Sequence, residues 1–122
     1  MIYQYRYKFY LNANHYVSLE HARGAVHPHC FELGIEILRK GDEAVVSFAD
    51  VEQLIEEMLE KYQNTLLNEV EPFDEISPTL ENIGLCFKKM IEEKLSPLEW
   101  IVLSVEVSET PSRSFLITNE TF

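Results

Sequence analysis

Apolar and aromatic positions alternate with polar ones at the start of the chain. Tyr3, Tyr5, Tyr7, Phe9, Leu11 and Ala13 fall on one side, and Gln4, Arg6, Lys8 and Asn12 on the other, with Tyr10 out of step. Period-two alternation rich in aromatics predicts a half-buried strand. The register runs on to His15, which puts that imidazole on the apolar face. A polar connection, HARGAV, leads to a second strand in which His27, His29, Phe31, Leu33, Ile35 and Ile37 share one register. Cys30, Glu32, Gly34 and Glu36 take the other. Pro28 has no N–H to give to a ladder, so it predicts a strand start or a bulge beside the histidines. Lys40-Gly41-Asp42 then turns the chain into a short strand through Ala44, Val45 and Val46.

The period changes over 49–62. Val51, Leu54, Ile55, Met58, Leu59 and Tyr62 follow the spacing of a packed helix face, with Glu52, Glu56, Glu57 and Glu60 mostly toward solvent. A second helix is predicted to start near Ser77-Pro78-Thr79, with Ser77 or Thr79 as cap and Pro78 in the first turn. Its buried stripe is Leu80, Ile83, Phe87, Met90 and Ile91, and Pro97 marks its end. Alternation returns in EWIVLSVEVSET, where Ile101, Leu103, Val105 and Val107 share a side with Glu109. After Pro111-Ser112 a last strand covers 114–119. The economical fold is α+β, an antiparallel sheet with both helices on one face. No linker or repeat interrupts it, so 1–122 reads as a single domain.

A chain of 122 residues has room for a real core, yet it leaves much apolar surface uncovered, which favours oligomerisation. Ten basic against 21 acidic residues give a net charge of −11. That field argues against nucleic acid and against anionic membranes as partners. No apolar run is long enough to cross a bilayer, and the alternating first residues do not resemble a secretory signal, so a cytoplasmic location is expected. Cys30 and Cys86 are then expected to be reduced, buried thiols.

Charge and location leave the histidines as the candidate chemistry. All four lie between positions 15 and 29. His27 and His29, two apart on a strand, point the same way, and His15 on the neighbouring strand supplies another nitrogen. Three neutral imidazoles suit zinc and leave a position open for water or substrate, although iron, nickel and copper accept the same donors. An H-x-H pair is equally compatible with histidines making ordinary hydrogen bonds at a sheet edge. His21 lies in the polar connection and reads as solvent-exposed. Glu109, on an apolar register, needs a partner if buried; otherwise it is a strand-end carboxylate in water.

The sequence resembles the 6-pyruvoyl-tetrahydropterin synthase and 6-carboxytetrahydropterin synthase family over nearly its whole length. LNANH is similar to the family's opening segment, which ends in a zinc histidine, here His15. HPHCFELGIEI resembles its H-G-H strand, giving His27 and His29 with Pro28 in place of glycine. VVSFADVEQL resembles the segment leading into the first helix, with Ser47 where an aspartate is common. SPTLENIG resembles the P-T-x-E-N start of the second helix, and VEVSETP the strand whose glutamate grips the pterin, here Glu109 beside Thr110. The resemblance implies a tunnelling-fold subunit that assembles into an oligomeric barrel, a homo-oligomer of trimer or hexamer form. It also implies sites between subunits, zinc as cofactor and a pterin-like substrate.

Two departures bear on activity. Where family enzymes place a cysteine four residues before H-G-H, this chain has Arg23, and no glutamate stands just before the motif. The family's L-D-H segment aligns with Tyr62-Gln63-Asn64, and neither amide takes up and releases a proton. Leu67-Asn68 keeps the family's following L-N. His21 and Glu20 are left as acid–base candidates. The resemblance thus implies a divergent zinc-dependent lyase acting on a dihydroneopterin-type substrate, in pterin or queuosine-precursor synthesis. The alternatives are a zinc- and pterin-binding protein without turnover, or a structural or partner subunit with the same fold.

Overall fold

The computed structural model describes residues 4–19, 22–39 and 48–119. The predicted turn at Lys40-Gly41-Asp42 and strand at 44–46 lie outside them. Strand β1 (Tyr5–His15) is followed by a two-stranded ribbon, β2 (Ser18–Leu19) and β3 (Ala22–Arg23), the second strand of which falls in the predicted polar connection HARGAV. Then come β4 (His27–Arg39), helix α1 (Phe48–Glu60), helix α2 (Leu80–Leu95), β5 (Trp100–Thr110) and β6 (Arg113–Thr118). The main sheet has four strands in the order β1-β4-β5-β6, all antiparallel.

The alternation seen in the sequence becomes the two faces of this sheet. Tyr7, Phe9, Leu11 and Ala13 of β1 and Phe31, Leu33, Ile35 and Ile37 of β4 are buried on the helix side. The other face is solvated and carries cross-strand ion pairs, Arg6–Glu36 at 3.1 Å and Lys8–Glu32 at 3.2 Å. Against the buried face α1 sets Val51, Ile55 and Leu59, and α2 sets Ile83, Phe87, Ile91 and Leu95. Between the helices Tyr62, Phe73 and Phe87 meet edge to face, with ring centroids 5.4–5.9 Å apart. Helix α2 lies close on β6, since a Cβ at Gly84 would come within 2.9 Å of the Phe115 ring.

Four expectations change. Thr79, not Ser77, caps α2 by accepting the Asn82 N–H at 3.1 Å, so Pro78 precedes the cap instead of lying in the first turn. Pro28 opens β4 without a bulge, because the register from His15↔His27 to Tyr5↔Ile37 is unbroken. The irregularities are on β5. Glu36 pairs with Ser104 and Ile37 with Val102, leaving Leu103 as an extra residue. Trp100 and Val102 therefore join Val105 and Val107 in the core, while Ile101 drops out of that register. Finally, Cys30 is exposed and Cys86 half-buried, though both are free thiols.

Candidate metal centre

Three strand ends meet at one corner of the sheet: the last residue of β1, the first residues of β4 and the end of β5. In the ladder His15 stands opposite His27, and His29 opposite Ala13. His15 continues the apolar register of β1 and is 2% exposed. Its ring lies edge-on to Phe31, centroids 5.2 Å apart, and 5.0 Å from the His29 ring.

The start of α2 fixes the orientation of His15. Nδ1 is 2.9 Å from the Pro78 carbonyl, and a carbonyl can only accept, so Nδ1 carries the proton. Nε2 is then the ring's donor atom toward the corner, the tautomer control common among metal-binding histidines. Nothing in the sequence signals this role of Pro78, because it depends on where the helix cap sits relative to the sheet.

Glu109 arrives from β5 through a second irregularity. Ser108 pairs with Ser114 of β6 and Thr110 with Arg113, so Glu109 is the extra residue of a bulge. Glu109 stays on the side of β5 that Val105 and Val107 occupy, as the alternation predicts, with Oε1 4.0 Å from His15 Nε2 and Oε2 3.8 Å from His29 Nε2. The donor atoms of His15, His29 and Glu109 lie within 4.8 Å of one another, an arrangement able to hold a metal ion. Two imidazoles and a carboxylate, half-buried against an apolar wall, fit a divalent transition metal.

The other sequence candidates divide into three groups. His27 is adjacent by backbone register, its side chain lying outside the described residues, as do His21 and Glu20 entirely. Thr110 is at the site's rim, its hydroxyl 3.2 Å from that of Ser112. Cys30 pairs with Asn12 on the opposite side of a regular ladder, away from His29, as its register predicts. A cleft of about 440 Å³ lined by Asn12, Asn14, Pro28, His29, Cys30 and Asn64 opens beside the corner.

The segment aligned with the family's L-D-H is occupied otherwise. Gln63 donates Nε2–H to the Tyr10 carbonyl at 2.9 Å and accepts the Asn12 N–H at 3.0 Å. Asn64 N–H reaches Asn12 O, and Asn14 N–H reaches Thr65 O. Asn68 clamps Tyr16 with a bond to its N–H and another to its carbonyl, both 3.0 Å. This segment thus runs along the outer edge of β1 in turns, tied to it by these bonds and by a single bridge between Asn14 and Leu66.

A four-stranded antiparallel sheet backed by two helices, with imidazoles and a carboxylate gathered at its corner, defines an α+β protein with a candidate metal site at a sheet corner. Comparison with known proteins makes the assignment specific. The chain belongs to the 6-pyruvoyl tetrahydropterin synthase family, whose model matches residues 4–120. Its fold is similar to that of Caenorhabditis elegans 6-pyruvoyl tetrahydropterin synthase, with a TM-score of 0.80 at 17% identity, covering 98% of this chain and 97% of that one. The Plasmodium vivax enzyme is similar with a TM-score of 0.73 at 16% identity over 98% of both chains. An uncharacterized protein from Wolinella succinogenes gives 0.75 at 17% identity, over 98% of this chain and 99% of that one. No curated protein sequence matches the chain significantly. No helix among the described residues is long and apolar enough to cross a membrane.

Proposed function

We propose that the protein is a divergent zinc-dependent lyase of the 6-pyruvoyl-/6-carboxytetrahydropterin synthase kind, acting on a dihydroneopterin-type substrate. His15, His27 and His29 are its metal ligands, and Glu109 with Thr110 holds the pterin. The observation that carries this reading is the convergence of His15, His29 and Glu109 on one point, with His15 held in its ligating tautomer by Pro78. Zinc bound there would supply Lewis-acid polarisation of the substrate's side-chain oxygens.

The chain's own groups do the rest. The Glu109 carboxylate is suited to accept the N–H groups of a guanidine-like ring edge through charge-assisted bonds. Phe31 walls the imidazoles from water on the core side. With Gln63 and Asn64 unable to shuttle protons, His21 or Glu20 is assigned that task. The protein works as a cytoplasmic homo-oligomer, a trimer or hexamer, with its sites between subunits.

The test is elemental analysis of the purified protein, then product formation from dihydroneopterin triphosphate with zinc restored and His27→Ala as control. About one zinc per chain and a product that vanishes in His27→Ala are expected. Zinc without product from the wild type rejects this activity and selects the second reading, a zinc- and pterin-binding protein without turnover. That reading is favoured by one observation: both ends of the Gln63 amide are spent on the backbone of β1.

A further inference from the structure

The solvated face of the sheet, opposite the face that carries the metal corner, holds a hollow of about 210 Å³. Gly34 and Ser104 lie at its floor, and Arg6, Lys8, Glu36, Glu106 and Leu116 stand around it. The ladder sets this arrangement, since Gly34 pairs with Lys8 on one side and Glu106 on the other, and Glu36 with Arg6 and Ser104. Neither backbone nor packing requires a glycine at 34. Its φ is not positive, and beyond its chain neighbours an added Cβ would meet no atom nearer than 3.9 Å. A glycine inside a strand weakens it and often marks a place where a ligand comes close to the backbone. Ser104 is the second anomaly. It is only 7% exposed, yet its hydroxyl has no hydrogen-bond partner among the described residues. The hollow that it lines is what this hydroxyl has left to bond into.

The charges around the hollow leave one carboxylate in excess. Arg6 pairs with Glu36 at 3.1 Å and Lys8 with Glu32 at 3.2 Å. Glu106 accepts the Ser114 hydroxyl through Oε2 at 2.9 Å and has no cation of its own among the described residues. Its Oε1 leans over Gly34, 3.9 Å from where a Cβ would stand. A carboxylate beside an unbonded hydroxyl suits a positively charged ligand that donates N–H bonds. A metal ion fits less well, because the one group of three metal donors among the described residues is at the corner. Leu116, 54% exposed on a mainly polar face, adds an apolar wall. We propose that the hollow binds a small primary alkylammonium ion, whose nitrogen donates to Glu106 Oε1 and Ser104 Oγ and whose stem lies on Leu116. This site is independent of the metal-site reading and uses none of its residues.

The experiment is a saturation-transfer NMR titration of the purified protein with n-butylammonium chloride at low ionic strength. Tetramethylammonium chloride, a cation with no N–H to donate, is the comparison, and circular dichroism confirms that each variant is folded. Saturable binding of n-butylammonium is expected, with transfer to its terminal methyl protons, and tetramethylammonium should bind far more weakly. Glu106→Gln keeps an acceptor for Ser114 and removes the charge, and it should weaken binding roughly tenfold. Ser104→Ala should weaken it several-fold. Gly34→Val, which fills the floor with a residue that strands favour, should abolish it. Equal affinity for the two cations, or full affinity in Glu106→Gln, would overturn the proposal, because a net charge of −11 attracts any cation without a built site. A folded wild type with no saturable n-butylammonium binding would overturn it as well, and either result would leave the metal centre untouched.

Discussion

Two regions carry the family's chemistry in the resemblance, and they have fared differently here. At the corner of the sheet, His15, His29 and Glu109 converge and the tautomer of His15 is set by a main-chain carbonyl. Along the edge of β1, the segment 62–68 has the family's place in the chain but none of its titrating groups. Its amides are turned into hydrogen bonds that cover Tyr10, Asn12, Asn14 and Tyr16. The difference teaches that holding a ligand and moving a proton are separable demands on one fold. A binding corner needs donors fixed by packing, whereas proton transfer needs a group left available to titrate. An amide with both ends bonded to backbone provides structure only.

The largest effect should come from the residue that ties the corner to the core. Phe31 is 1% exposed and its ring lies 5.2 Å from that of His15 and 5.5 Å from that of His29. Phe31→Ala should destabilise the protein by about 3–5 kcal/mol through lost burial and the cavity left behind. Zinc affinity should fall with it, because both rings lose the wall that fixes their rotamers. Denaturant unfolding with a zinc titration at low denaturant would check both. Full zinc affinity in a destabilised variant would mean that the corner is organised by the strands alone.

A smaller effect should follow from the helix cap. Thr79 Oγ1 accepts the Asn82 N–H at 3.1 Å, and the residue before it supplies the carbonyl that orients His15. Thr79→Ala should cost about 1 kcal/mol, the usual loss for a capping threonine. If the cap positions Pro78, zinc binding should weaken several-fold in the same variant, read by competition with a chromophoric chelator. A stability loss with unchanged zinc affinity would separate the helix start from the metal centre.

These two sites also mark what the sequence could and could not disclose. Strands β1 and β4 are legible because one face is buried throughout, so strict alternation survives from Tyr7 to His15 and from His29 to Ile37. The same alternation is enough to put His15 and His29 on one face. Strand β5 is not legible in detail, since Ile101, Val102 and Leu103 are all apolar and any register through them looks acceptable. The bulge at Leu103 decides that Val102 enters the core. Glu109 follows Val105 and Val107 in the alternation of β5, so its side of the sheet was legible, whereas the bulge beside it was not, because the sequence draws attention to Pro28, where the ladder is regular. Pro78 contributes only its carbonyl, a group every residue has, so no residue type could announce it.

The smallest effect bears most directly on the edge segment. Gln63→Ala removes the bonds to Tyr10 O and Asn12 N–H, but both groups lie near the surface, where water can replace the amide. The cost should be near the low end for such bonds, about 0.5 kcal/mol, with no change in zinc affinity. The pair Gln63→Asp with Asn64→His sharpens the point by writing the family's acid–base residues back into the segment. The aspartate gives up the donor to Tyr10 and is one methylene shorter, and Asn64 sits at φ 59, a left-handed conformation that asparagine adopts more readily than histidine, so stability should fall further than in Gln63→Ala. If proton transfer is the missing demand, turnover of dihydroneopterin triphosphate should rise above that of the wild type while zinc content stays the same. A double variant with full zinc and no gain in product would place the defect at the corner itself, in how the ion and Glu109 hold the substrate.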